Sequence, residues 1–150
     1  MKKNILYIVL LTLFLTSCSE YQKLLKSSDI QLKYVKGKEY YANKDYIRAL
    51  TLLEEVAPFF KGTEDADYIV YLIADSYYKN KDYQTAISYY KTYNTHFPRG
   101  EYAQECKFMV AYAYYLQSPD PKLDQTTTDL AIKALKSYVE EYYQKKCAKS

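Results

Sequence analysis

The sequence repeats itself at a spacing of 37 residues, and this restricts the fold more than any other feature. Tyr40-Tyr41 returns as Tyr77-Tyr78 and again as Tyr114-Tyr115, and Asn43-Lys44-Asp45-Tyr46 returns unchanged as Asn80-Lys81-Asp82-Tyr83. Ala49 is matched by Ala86, Phe60 by Phe97, Glu64 by Glu101 and Ala66 by Ala103. A period of this length means that one supersecondary unit is stacked on copies of itself, because a single unit cannot bury its own apolar face. Within each unit a small residue (Gly37, Ala74, Ala111) stands three before an aromatic (Tyr40, Tyr77, Tyr114). A second small residue (Ala49, Ala86) falls where a following helix must approach closely. Such spacing suits helical hairpins, so the chain is read as all-α.

This arrangement resembles the tetratricopeptide pattern, lengthened beyond its usual ~34 residues. The implied fold is a tetratricopeptide-like helical-hairpin solenoid of three repeats, at about residues 30–63, 64–100 and 101–145, within a repeat domain of 30–145. The first helix should run from Ile30 to about Asn43 behind an N-cap at Ser28 or Asp29, with Leu32, Val35, Gly37 and Tyr40 inward. Its partner, capped by Asp45, should turn Ile47, Ala49, Leu53, Val56 and Phe60 inward and stop at Lys61-Gly62. In the second hairpin Val70, Ile73, Ala74 and Tyr77 should face Ala86, Tyr90 and Tyr93, with Phe97-Pro98 closing the unit. The third keeps Met109, Val110, Ala111 and Tyr114 inward, but Ser118 to Gln125 swells its turn before the pattern resumes at Ala131, Leu135 and Tyr138. No polar capping helix follows, so an exposed apolar end is expected around Leu135, Tyr138 and Tyr142.

Ahead of the repeats, Lys2 and Lys3 precede an apolar run from Ile5 to Leu15 that is too short to span a bilayer. Leu15-Thr16-Ser17-Cys18 then resembles the lipobox of bacterial lipoproteins. The resemblance implies removal of residues 1–17 as a signal peptide, a diacylglycerol thioether on Cys18, and an N-acyl chain on its amine. Residues 18–29 would be a lipidated tether, with Ser19 after the cysteine resembling proteins sorted to the outer membrane. Three acyl chains at about 0.8 kcal/mol per buried CH₂ make such anchoring effectively permanent. Cleavage would also lower the formal charge of +3 by the two charges of Lys2 and Lys3, and no basic stripe with interleaved aromatics points to nucleic acid.

Lipobox, tether and hairpins together resemble the BamD family of outer membrane protein assembly factors, in their Bacteroidetes form. The residues that carry this are Leu24-Leu25-Lys26-Ser27-Ser28-Asp29, Asn43 to Leu50, Phe97-Pro98 and the loop Ser118-Pro119 through Leu123-Asp124-Gln125. The resemblance implies a non-enzymatic lipoprotein on the periplasmic side of the outer membrane. Its implied partners are the periplasmic domains of the barrel-assembly subunit and unfolded outer-membrane protein clients. Members carry about five repeats, the first three linked with client recognition and the last two with docking on the machine. With three, this sequence reads as C-terminally truncated. Two other readings stay open: a tetratricopeptide envelope lipoprotein organising peptidoglycan-linked complexes, and an accessory subunit of a periplasmic enzyme.

In a stack of this kind the first helices line the concave face. The repeat register puts Tyr34, Tyr71 and Phe108 at one groove position and Tyr41, Tyr78 and Tyr115 at another. Two aromatic ladders would grip an extended peptide through stacking and phenol hydrogen bonds, or else fill space between repeats. Lys38, Asp75 and Lys79 are expected as solvated charges beside them. His96, the single histidine, stands at a helix end and suits the helix dipole better than catalysis. Cys106 reads as a small core residue; a periplasmic disulfide to Cys147 is permitted, but sequence separation does not show that the two meet. Metal-ligand spacing, a nucleophile motif and a phosphate loop are all missing, so no catalytic residue, metal or cofactor is expected.

Overall fold

The computed structural model describes residues 20–147, with side chains to Gln144; the segment expected to be a signal peptide and Cys18 lie outside them. The described elements are all helical. Residues 20–25 form a short helix (α1). There follow α2 (Ile30–Ala42), α3 (Tyr46–Val56) with a 3-10 turn (Ala57–Phe60), α4 (Ala66–Lys79), α5 (Tyr83–His96), α6 (Ala103–Leu116) and α7 (Thr126–Cys147). Helices α2 to α7 pack in chain order as three antiparallel hairpins, each stacked on the one before.

The local chemistry accounts for the boundaries. Asp29, Asp45 and Asp82 cap α2, α3 and α5, their carboxylates accepting from the backbone N–H of Leu32, Arg48 and Thr85. The two Asn-Lys-Asp turns place Lys44 and Lys81 in the left-handed region, at φ 63° and 66°. Gly62 at φ 81° also turns the chain, but α3 proper stops earlier than its apolar pattern indicates. Pro58 has no N–H to donate, and the chain tightens into the 3-10 turn around it.

Two core clusters fill the stack. The first holds Tyr34, Ala49, Leu50, Leu53, Val56, Phe60, Ile69, Leu72 and Ile73, and the second holds Ala74, Ala86, Ile87, Tyr90, Tyr93, Ala103, Cys106, Val110 and Ala113. Gly37 is where α2 and α3 approach most tightly: a Cβ there would lie 2.9 Å from Leu53 Cδ2. The later repeats hold Ala74 and Ala111 at that position, both fully buried.

Three expected core residues are in solvent. Leu32 and Val35 are 42% and 47% exposed, whereas Ile69 and Leu72, one repeat later, are fully buried. The difference lies in the neighbour: α3 covers Ile69 and Leu72, but among the described residues no hairpin packs ahead of α2. Ile47 is also exposed, because α3 buries the stripe Ala49, Leu52, Leu53 and Val56, and Ile47 lies on the other side of that helix. At the far end the exposed apolar residues of α7 are Leu130, Ile132, Val139, Tyr142 and Tyr143, with Leu135 and Tyr138 half-buried. Tyr142 is exposed as expected; Leu135 and Tyr138 are partly covered, Tyr138 lying against Phe108.

Candidate functional site: two kinds of tyrosine

The six groove candidates divide by what their rings and hydroxyls touch. Tyr34 is not a groove residue. It is 1% exposed, its ring 4.7 Å from Phe60 and its hydroxyl donating to Asp65 at 2.8 Å. The repeat register fixes its position along α2 but not its cover, and Phe60 with the Asp65 turn closes over it. Lys38 is half-buried, with its ammonium 4.1 Å from that ring.

Tyr41 and Tyr71 are half-buried and tie one repeat to the next. Tyr41 donates to Asp75 Oδ2 at 2.6 Å, and Tyr71 donates to Glu105 Oε1 at 2.8 Å. Asp75 is no solvated charge. It is 4% exposed and accepts a second phenol, Tyr90, at 3.2 Å on its other oxygen. One buried carboxylate thus joins α2, α4 and α5, satisfied by two donors. Glu54 of α3 repeats the device, accepting Tyr77 and Tyr89 at 2.7 and 2.8 Å. Tyr93 donates to Asp67 at 3.1 Å and accepts from the Tyr102 backbone N–H at 3.1 Å.

Burial first, then the bonded carboxylate, raises the pKa of these phenols: Tyr89 is pushed up to about 12, and Tyr41, Tyr71 and Tyr77 rise further. For Tyr90 burial again leads, followed by the charge of Asp75. These hydroxyls therefore remain donors under any physiological condition.

Tyr78, Phe108 and Tyr115 are held by ring contacts instead. Phe108 stacks on Tyr112 (centroids 5.8 Å, 11° between planes) and Tyr112 stacks on Tyr115 (6.0 Å, 25°). Tyr78 lies 6.4 Å from Tyr112, and Phe108 lies 5.6 Å from Tyr138, which stacks on Tyr142 at 6.4 Å. Six rings from α4, α6 and α7 form one continuous strip. Tyr115 is 59% and Phe108 37% exposed, and the hydroxyls of Tyr78, Tyr112 and Tyr115 have no hydrogen-bond partner among the described residues. Tyr112 and Tyr138 escaped the sequence reading because only the positions seven apart in each repeat were paired. Tyr112 takes the register position of Lys38 and Asp75, and Tyr138 lies on a second helix.

The remaining candidates carry no chemistry. His96 Nδ1 is 2.9 Å from the Thr92 carbonyl at the end of α5. Cys106 is a buried free thiol whose pKa burial pushes up to about 12, with Glu105 and Asp75 adding to the shift, so it is inert as a nucleophile. The side chain of Cys147 lies outside the described ones. Among the described residues no three His, Cys, Asp or Glu side chains gather to hold a metal ion, and no helix is long and apolar enough to cross a membrane.

Three stacked hairpins, with tyrosines reaching from each first helix to the next, define a tetratricopeptide-like repeat protein. The model of the YfiO family, outer membrane lipoproteins, matches residues 26–149, and the chain belongs to that family. This is the BamD-type family whose likeness the tether, the Asn-Lys-Asp turns and the third-repeat loop carry, and membership assigns the chain to the outer membrane. No curated protein matches it.

Proposed function

We propose that this chain is a lipid-anchored scaffold of outer-membrane β-barrel assembly. Cys18 carries the lipid and the repeat domain stands on the periplasmic side. The concave face binds the periplasmic domains of the barrel subunit, unfolded outer-membrane protein clients, or both, by contact and not by catalysis. The observation that carries the reading is the strip Tyr78, Tyr112, Tyr115, Phe108, Tyr138 and Tyr142, in a family of outer membrane lipoproteins. Rings in mutual contact, with the hydroxyls of Tyr78, Tyr112 and Tyr115 open, offer an extended peptide both apolar area and backbone hydrogen bonds. The neighbouring ring centroids, 5.6 to 6.4 Å apart, come close to the ~6.7 Å between same-face side chains of an extended strand.

Co-purification after mild detergent extraction tests this. Recovery of a large barrel subunit supports the reading, whereas peptidoglycan-associated proteins or a hydrolase in its place contradict it. Binding of outer-membrane protein C-terminal peptides should fall in the Tyr78→Ala/Tyr115→Ala double variant; unchanged affinity would remove the strip from the proposal.

A further inference from the structure

The short helix α1 is fastened to the first hairpin at both ends, and its direction fixes where the anchor emerges. Its Tyr21 ring meets the Tyr40 ring edge-on at 5.7 Å, and the Arg48 guanidinium lies 5.1 Å from Tyr21 and 5.6 Å from Tyr40. Tyr40 ends α2 and Arg48 begins α3, so Tyr21 sits at the α2–α3 turn. At the other end of α1 the Leu25 carbonyl accepts from Lys33 Nζ at 2.9 Å. Lys33 is itself 1% exposed and paired with Glu55. The chain therefore enters the domain at the edge that carries the turns within hairpins. One residue, Ser19, separates Glu20 from Cys18, a reach of at most ~7 Å.

That edge has its own chemistry. Antiparallel hairpins place all three internal turns together: Asn43-Lys44-Asp45, Asn80-Lys81-Asp82, and the loop between α6 and α7. Asp45, Asp82 and Asp124 are engaged locally, accepting from the backbone N–H of Arg48, Thr85 and Thr126, although Asp82 and Asp124 stay exposed. Lys44, Lys81 and Lys122 are exposed. Beside them Ile47 is 58% exposed and Leu123 62%. Leu123 is held, not floppy: its N–H donates to the Asp120 carbonyl at 2.9 Å, and Gln125 Nε2 donates to the carbonyls of Asp120 and Leu123, each at 2.9 Å.

Resting on the Cys18 anchor proposed above, we infer that this turn edge lies on the lipid surface, with Leu123 and Ile47 entering the interface and Lys44, Lys81 and Lys122 at headgroup level. Apolar tips with long cations around them suit that boundary, since lysine stems lie along apolar surface while their ammonium groups stay in water. The opposite edge, with Phe59 and the turns between hairpins, then faces away from the membrane. The 14 residues of α5 put the two edges ~20 Å apart at 1.5 Å per residue.

The chain has no tryptophan, so one introduced residue reports alone. Phe59 at 65% exposure and Leu123 at 62% are matched sites on opposite edges. The full-length lipidated protein, carrying Leu123→Trp or Phe59→Trp, is placed in vesicles containing brominated lipid, with Ile47→Trp as a second reporter on the turn edge. The Leu123→Trp and Ile47→Trp emissions should shift to the blue and be largely quenched, while Phe59→Trp emission persists. Protein that floats with vesicles yet shows equal quenching at both edges, or stronger quenching at Phe59→Trp, overturns the orientation and leaves the anchor standing. Protein that fails to float overturns the anchor and the orientation with it.

Discussion

The first two repeats and the third use the same amino acid for different ends. In the first two, the phenols of Tyr34, Tyr41, Tyr71, Tyr77, Tyr89, Tyr90 and Tyr93 all donate to carboxylates, most of them across a helix–helix boundary. In the third, joined by Tyr78 of the second, Tyr112 and Tyr115 stack ring on ring with Phe108 and hold no carboxylate. A phenol bonded to a buried carboxylate fixes the pitch between repeats, because ring and hydroxyl must both fit. A stacked phenol with an open hydroxyl fixes nothing beyond its neighbour and leaves polar and apolar surface for a ligand. Tyrosine count alone does not separate the two; the acceptor does.

The sharpest way to break the contrast is at Asp75. Asp75→Ala leaves the buried Tyr90 hydroxyl and the half-buried Tyr41 hydroxyl without their acceptor, and should cost about 3 kcal/mol, seen as a lower urea midpoint. Gly37→Ala tests the closest helix contact. Its new methyl would lie 2.9 Å from Cδ2 of the buried Leu53, and overpacking of this kind costs about 1–3 kcal/mol; a calorimetric scan should show the loss.

Alkali tests the bonded phenols as a group. Their folded-state pKa values lie above the ordinary value of 10.0, Tyr89 at about 12, and a raised pKa means that the folded state holds the proton longer. The stabilisation is thus complete below about pH 10 and is lost as pH climbs through the folded values. Phenolate absorbance should rise together with loss of helix above pH 10, and full titration of Tyr89, Tyr77 and Tyr41 near pH 10 in a still-folded protein would contradict the bonding. The smallest effect is expected at the turns. Lys81→Gly relieves a left-handed lysine, offset by the entropy of glycine in the unfolded chain, for a net gain of less than about 1 kcal/mol in the same urea assay.

Much of this was legible in the sequence, and the parts that were not share a cause. The period of 37 residues, the aspartate caps, the close approach at Gly37 and the swollen turn after Leu116 all depend on residues near one another in the chain, or on spacing. Leu32, Val35 and Tyr34 were misread because register gives position and not cover. Among the described residues no hairpin packs ahead of the first repeat, and Leu32 is bare where Ile69 and Cys106 are buried. Asp75 reads as a surface charge by residue type, yet its partners Tyr41 and Tyr90 come from two other helices. The aromatic strip was half visible: Tyr78, Phe108 and Tyr115 follow from the register, while Tyr138 joins only once α7 packs on α6.

The division between carboxylate-bonded and ring-stacked tyrosines is tested most directly by measuring stability and peptide affinity on the same two variants. Tyr41→Phe should lose about 1–2 kcal/mol of stability and bind outer-membrane protein C-terminal peptides as before. Tyr115→Ala should keep its urea midpoint and bind them about tenfold more weakly, the equivalent of ~1.4 kcal/mol. The reverse pattern, with affinity lost at Tyr41→Phe and stability lost at Tyr115→Ala, would contradict the account.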